Sequence, residues 1–151
     1  MANELFVDTS GFYAALCERD EAHEKAAQLL TKAAKQKRRF VTTDYILDET
    51  ATLLRRRGLS HLEPVLFETV LESRACRMEW MDSARFRQTQ RFFLARADHG
   101  YSFTDSFSFV LMRDLELVDA MTTDRHFREA GFNALLERYS SSHNNLQCSS
   151  G

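Results

Sequence analysis

The chain has 151 residues, 44% of them hydrophobic, with one proline, five glycines and a net charge of −2. That composition fits one helix-rich globular domain and excludes a disordered chain or a uniformly basic nucleic-acid binder. Cys17, Cys76 and Cys148 are odd in number and widely spaced, and no apolar run approaches the ~20 residues that span a bilayer, so a disulfide framework, a zinc site and a membrane anchor are not indicated and a cytoplasmic setting is expected.

The first apolar run, Leu5-Phe6-Val7, stops at Asp8 and passes into Thr9-Ser10-Gly11. This is the pattern of a buried parallel strand that delivers a carboxylate to the ligand-binding edge of a sheet. By residue type Asp8 is equally suited to cap the helix that follows. One helix starts near Phe12, and a second carries Ala22, Ala26, Leu29, Leu30 and Ala33 before ending in the basic cluster Lys35-Gln36-Lys37-Arg38-Arg39. Phe40-Val41-Thr42 reads as a second strand, with Thr43 or Asp44 capping a helix over residues 45–57. On that helix Ile46, Leu47, Thr50, Leu53 and Leu54 form the buried stripe. Glu49 sits at the boundary of this stripe, where it is also a favourable charge near a helix N-terminus. Arg55-Arg56-Arg57-Gly58 closes the helix.

Residues 60–73 read as another helix, with Pro64 admissible only in the first turn. Residues 77–81 alternate as a third strand. The next stretch, 82–97, sets Arg85, Arg87, Arg91 and Arg96 among Phe86, Phe92 and Phe93, which suits either an amphipathic helix with a basic outer face or a surface that clamps RNA. Ser102 can cap the most apolar helix of the chain, leaving Asp105 at the third position of a capping box. A fourth strand, 118–124, again stops at an aspartate, Asp124. A short helix over 125–130 and an edge strand over 133–137 complete a domain of residues 1–138, and the serine- and asparagine-rich 139–151 read as a flexible tail.

Strands alternating with helices define an α/β fold with a parallel sheet and right-handed crossovers. If the first and fourth strands are neighbours, Asp8 and Asp124 lie side by side, and Glu49 and Asp105 can converge on the same edge. Four carboxylates gathered there repel unless metal or protons intervene. Oxygen ligands without a His or Cys pair point to Mg²⁺ or Mn²⁺. The five histidines, His126 among them, have no metal-ligand spacing and are expected to be structural or exposed.

Four blocks, in order, give the chain a resemblance to PIN-domain ribonucleases of the VapC toxin type: Phe6-Val7-Asp8-Thr9-Ser10, residues 41–50 around Glu49, Tyr101-Ser102-Phe103-Thr104-Asp105, and Thr122-Thr123-Asp124-Arg125-His126-Phe127. The resemblance extends from residue 5 to about residue 137. It implies a PIN-like three-layer fold with a twisted parallel sheet of order 3-2-1-4-5 flanked by helices. It further implies a Mg²⁺- or Mn²⁺-dependent endoribonuclease, the toxin of a type II toxin-antitoxin pair, with RNA, a cognate antitoxin and a second copy of the chain as partners. By the resemblance Asp8, Glu49, Asp105 and Asp124 are the metal-holding, catalytic quartet, supported by the hydroxyls of Thr9, Ser102, Thr104 and Thr123. Lys37, Arg38, Arg39, Arg55, Arg56, Arg91 and Arg125 are candidates to hold the RNA backbone around the pocket. Residues 59–97 are the candidate dimer surface. Two alternatives remain open: a flavodoxin-like or receiver module that binds Mg²⁺ without cutting RNA, and an aspartate-based phosphohydrolase, which commonly carries a second aspartate where Ser10 stands here.

Overall fold

Short runs, fully buried and apolar only at the central strand, set the sheet of this protein, whose computed structural model describes residues 3–138; the tail read over 139–151 lies outside the described residues. Leu5–Val7 (β1), Phe40–Thr43 (β2), Cys76–Glu79 (β3), Asp119–Met121 (β4) and Asn133–Ala134 (β5) pair in parallel, in the expected order β3-β2-β1-β4-β5. The central strand β1 is covered on both faces, so its residues form a continuous apolar run rather than an alternating one. The helices are Thr9–Leu16 (α1), His23–Lys35 (α2), Asp44–Arg56 (α3), Glu63–Leu71 (α4), Ser83–Ala95 (α5), Phe103–Asp114 (α6) and Arg125–Glu129 (α7). Among the described residues no helix is long and apolar enough to cross a membrane.

Several helix starts follow directly from residue chemistry. Thr43 accepts the Ile46 amide at 3.1 Å and caps α3, while Asp82 caps α5 through the Arg85 amide at 2.7 Å. Pro64 falls in the first turn of α4, where its missing N–H would have had no partner in any case. The helix read over 60–73 is therefore split into a 3-10 turn, Ser60–Leu62, and α4. The most apolar helix, α6, buries a continuous run from Ser106 to Met112. Its Phe109 ring meets those of Tyr101 and Phe127 edge-on, with centroids 5.0 and 4.9 Å apart. The fourth strand ends at Met121 rather than Asp124, because the Thr122 hydroxyl takes the Asp124 amide at 3.0 Å and turns the chain away from the sheet.

Parallel pairing puts every residue that follows a strand on one edge and every residue that precedes one on the other. Asp8, Asp44 and Thr122 lie on the first edge. The cluster Lys37-Arg38-Arg39 precedes β2 and lies on the second: the Leu5 amide donates to the Arg39 carbonyl, and Arg38 is held at 3.0 Å by Asp119, the first residue of β4. These three basic residues are therefore remote from the edge where the acidic residues gather, not around it.

Gly11 makes the approach of α1 to β4 possible. A Cβ on Gly11 would stand 2.0 Å from the Met121 carbonyl oxygen, a backbone atom that cannot rotate aside. Gly11→Ala should therefore push α1 off the sheet and destabilise the fold by on the order of 3 kcal/mol, measured as a lowered urea midpoint with an unchanged slope. A variant that unfolds like the parent would contradict this packing.

Candidate active site

The end of β1 and the end of β4 are joined by hydroxyls. Asp8, only 6% exposed, accepts three hydrogen bonds: from Ser10 Oγ at 2.7 Å and the Gly11 amide at 2.9 Å on Oδ1, and from Thr122 Oγ1 at 2.6 Å on Oδ2. Ser10 Oγ also accepts the Thr123 amide at 2.9 Å and lies 3.2 Å from Thr122 Oγ1. Residues more than a hundred positions apart thus hold one carboxylate in one orientation. The hydroxyls that hold Asp8, those of Ser10 and Thr122, are additional to the Thr9, Ser102, Thr104 and Thr123 that the resemblance implies, although both stand within two residues of an aspartate in the same strand-end pattern.

The capping and site readings of the aspartates are compatible. Asp124 Oδ1 accepts the His126 amide at 2.9 Å and caps α7; Asp105 Oδ2 accepts the Ser102 amide at 3.1 Å while Ser102 Oγ accepts the Asp105 amide at 2.9 Å, completing a capping box. Each cap engages one oxygen and fixes the direction of the carboxylate. Among the described residues, Asp105 Oδ1 and Asp124 Oδ2 accept no hydrogen bond, and both residues line the cleft described below.

His126 also belongs to this cluster, contrary to the expectation that it is only structural or exposed. Its Nδ1 stands 3.4 Å from Asp105 and 3.5 Å from Asp124, and ligand atoms of these three residues all lie within 4.8 Å of one another. The Tyr101 ring packs edge-on against the imidazole with centroids 5.3 Å apart. Position was the only available signal: His126 is two residues beyond a strand-end aspartate and enters the first turn of a helix.

Asp8, Glu49, Asp105 and Asp124 all line one open cleft of about 730 Å³, together with Thr9, Thr123 and Arg125. A neighbouring cleft holds Glu49, Thr9 and Thr104 with Arg56. The buried Thr9 hydroxyl makes no hydrogen bond of ordinary length, yet it lies near enough to the Glu49 carboxyl to favour its charged form. Of the remaining basic candidates, Arg55 pairs with Glu63 away from the acidic group, and Arg91 is exposed on α5 without lining either cleft.

Charge is stored here at a penalty. Burial pushes the Asp8 carboxyl up to about 7, against the opposing pull of Thr122, Gly11 and Ser10, and the nearby Asp124 charge adds to the rise. Burial is the first cause of the raised Glu49 and Asp105 carboxyls as well; for Glu49 the charges of Asp105, Asp124 and Asp48 add to it, and for Asp105 that of Asp124 does. Desolvation and like charge both favour protons over bare carboxylates, and a bound cation would remove both penalties. Oxygen-rich ligands with open lone pairs, and a single imidazole beside them, fit a divalent metal.

Residues 5–133 match the PIN domain, and the chain belongs to the PIN-domain family. Two proteins of Mycobacterium tuberculosis, from strains CDC 1551 / Oshkosh and ATCC 25618 / H37Rv, are each named 23S rRNA-specific endonuclease VapC20. Each is 33% identical over 128 residues, which cover 85% of this chain and 95% of the relative. The crystal structure of M. tuberculosis VapC20, described as a sarcin-ricin loop cleaving toxin, matches with a TM-score of 0.77 at 29% identity, over 85% of this chain and 96% of that one.

The raised Asp8 carboxyl sets a pH signature for the metal-free protein. Its folded value, about 7, exceeds the ordinary 3.8, so the stabilising protonated form is complete below about pH 4 and is lost as pH rises through about 7. The loss is on the order of 4 kcal/mol. In EDTA, the melting temperature of Asp8→Asn minus that of the parent should grow between pH 5 and pH 8. A pH-independent difference would contradict the assigned burial.

Proposed function

We propose that this chain is a Mg²⁺- or Mn²⁺-dependent endoribonuclease that hydrolyses RNA phosphodiester bonds, with Asp8, Glu49, Asp105 and Asp124 holding the metal. The observation that carries this reading is the convergence of four carboxylates from four separate segments on one cleft, three of them raised chiefly by burial. Asp8, Glu49, Asp105 and Asp124 would hold a divalent cation, which would supply activation of water and offset of phosphate charge. The chain's own contribution is orientation. Ser10 and Thr122 fix Asp8, the capping bonds fix Asp105 and Asp124, and Arg56 and Arg125 border the acidic residues, where they can hold the strand by its backbone. No nucleophile on the protein is needed. Ser10 stands where an aspartate-based phosphohydrolase commonly carries its second aspartate, and its hydroxyl is here spent on holding Asp8, which weighs against that alternative.

The toxin role follows the names of the relatives, and with it a cytoplasmic antitoxin partner that covers the cleft and offers a cation to the carboxylates. The ribosomal RNA substrate named for those relatives is the first to try. A homodimer is part of the same reading. Of the eight exposed large hydrophobics among the described residues, Val65, Phe67, Leu71, Trp80, Phe86, Phe93 and Leu94 fall within the segment 59–97 expected to supply its surface, and Val118 lies outside it.

Purified protein should cleave RNA with Mg²⁺ or Mn²⁺ and stop in EDTA, because bare carboxylates repel the phosphate backbone. Activity should return when the metal is restored in excess. Cleavage that continues undiminished in EDTA would overturn the mechanism.

A further inference from the structure

We propose that Arg57, steadied over the ring of Tyr13, is a clamp for an RNA backbone phosphate flanking the one that is cut; this rests on the ribonuclease reading above. Arg57 follows the last turn of α3, and its guanidinium carbon lies 5.4 Å from the Tyr13 ring centroid. Both residues line the cleft that holds the four carboxylates. Their placement follows from helix geometry. Glu49, Leu53 and Arg57 are spaced at intervals of four along one stripe of α3, so Arg57 stands ~12 Å along the axis from Glu49. Tyr13 is one turn beyond Thr9 on α1, which packs beside α3. The acidic group and the Tyr13–Arg57 pair are thus two stations on the same wall, too far apart to contact the same phosphate.

Arg57 differs from the other arginines bordering this cleft in having no carboxylate partner. Arg125 stands 3.7 Å from Glu129 and Arg138 stands 3.5 Å from Glu21, whereas among the described residues no carboxylate lies within ion-pair distance of Arg57. An exposed arginine without a carboxylate ordinarily samples many rotamers. Here the ring restricts it, and the C-terminal end of α3 favours a positive charge at that point. Arg57 also acts on the Tyr13 hydroxyl, and the remaining N–H donors of its guanidinium, which lie in its own plane, stay available for phosphate oxygens. The contact holds any sequence, because it touches no base.

Three variants test the proposal: Arg57→Met, which keeps much of the apolar stem, Arg57→Lys and Tyr13→Leu. The readouts are KM and kcat with Mg²⁺, and the anisotropy of a fluorescent single-stranded RNA with Ca²⁺ in place of Mg²⁺, titrated over salt. Arg57→Met should raise KM about tenfold with kcat within twofold of the parent, and lower the slope of log affinity against log salt by about one. Arg57→Lys should restore most of the slope. Tyr13→Leu should weaken binding less, and should add nothing on the Arg57→Met background, because the ring acts through the arginine. An unchanged KM and salt slope in Arg57→Met would overturn the clamp. Full additivity of the two substitutions would overturn the role given to Tyr13. If the parent cuts no RNA, the ribonuclease reading fails by itself, and the anisotropy comparison still decides whether Arg57 binds the strand.

Discussion

The hydrogen bond from Thr122 to Asp8 is the contact on which the site depends. It links the ends of the first and fourth strands, which are neighbours only because the topology places β4 beside β1. Through the same hydroxyl Thr122 takes the Asp124 amide, and through Ser10 the turn after β1 takes the Thr123 amide. Two loops with no covalent proximity are locked into one rim. Removing either hydroxyl would leave buried polar groups without partners, which costs more than the bond itself contributes.

That rim works against the electrostatics of its own carboxylates. Three hydrogen bonds favour the charged form of Asp8, yet its burial dominates and holds the carboxyl near neutrality. The fold tolerates this because the donors belong to rigid structure: a helix cap on α1, a glycine pressed against Met121, and a threonine with no exposed surface. Asp105 and Asp124 also line the cleft, each with one oxygen spent on a cap. A helix cap and a cleft-lining carboxylate are therefore one arrangement in this protein, since the bond that starts the helix also fixes the direction of the carboxylate.

Much of this was legible in the chain itself. The abrupt stop of β1 at Asp8, the capping-box spacing of Ser102 and Asp105, and the tolerance of Pro64 only in a first turn all rest on local backbone chemistry, and local chemistry is what a sequence records. Relations between segments were harder to see. The hydroxyls implied by the resemblance, Thr9, Ser102, Thr104 and Thr123, do not include Ser10 and Thr122, whose bonds hold Asp8, because the turn after a strand decides which side chain faces back across the sheet. Lys37, Arg38 and Arg39 precede β2, so the parallel sheet assigns them to the opposite edge; their order relative to the strand contained that information. His126 and Arg57 could not be singled out by type, since one is an isolated histidine and the other the last of three consecutive arginines.

The central claim is that Asp8 and Asp124 hold a metal and do not merely start helices. Asparagine separates these roles, because it caps a helix well but cannot supply the anionic ligand. Thermal melting of the parent, Asp8→Asn and Asp124→Asn should be compared with and without Mg²⁺. The account predicts that each variant melts no lower than the parent without metal, since a repelling charge has been removed, and loses most of the stabilisation that Mg²⁺ gives the parent. If both variants keep the parent's full Mg²⁺-dependent shift, neither aspartate is a ligand and the site assignment is wrong.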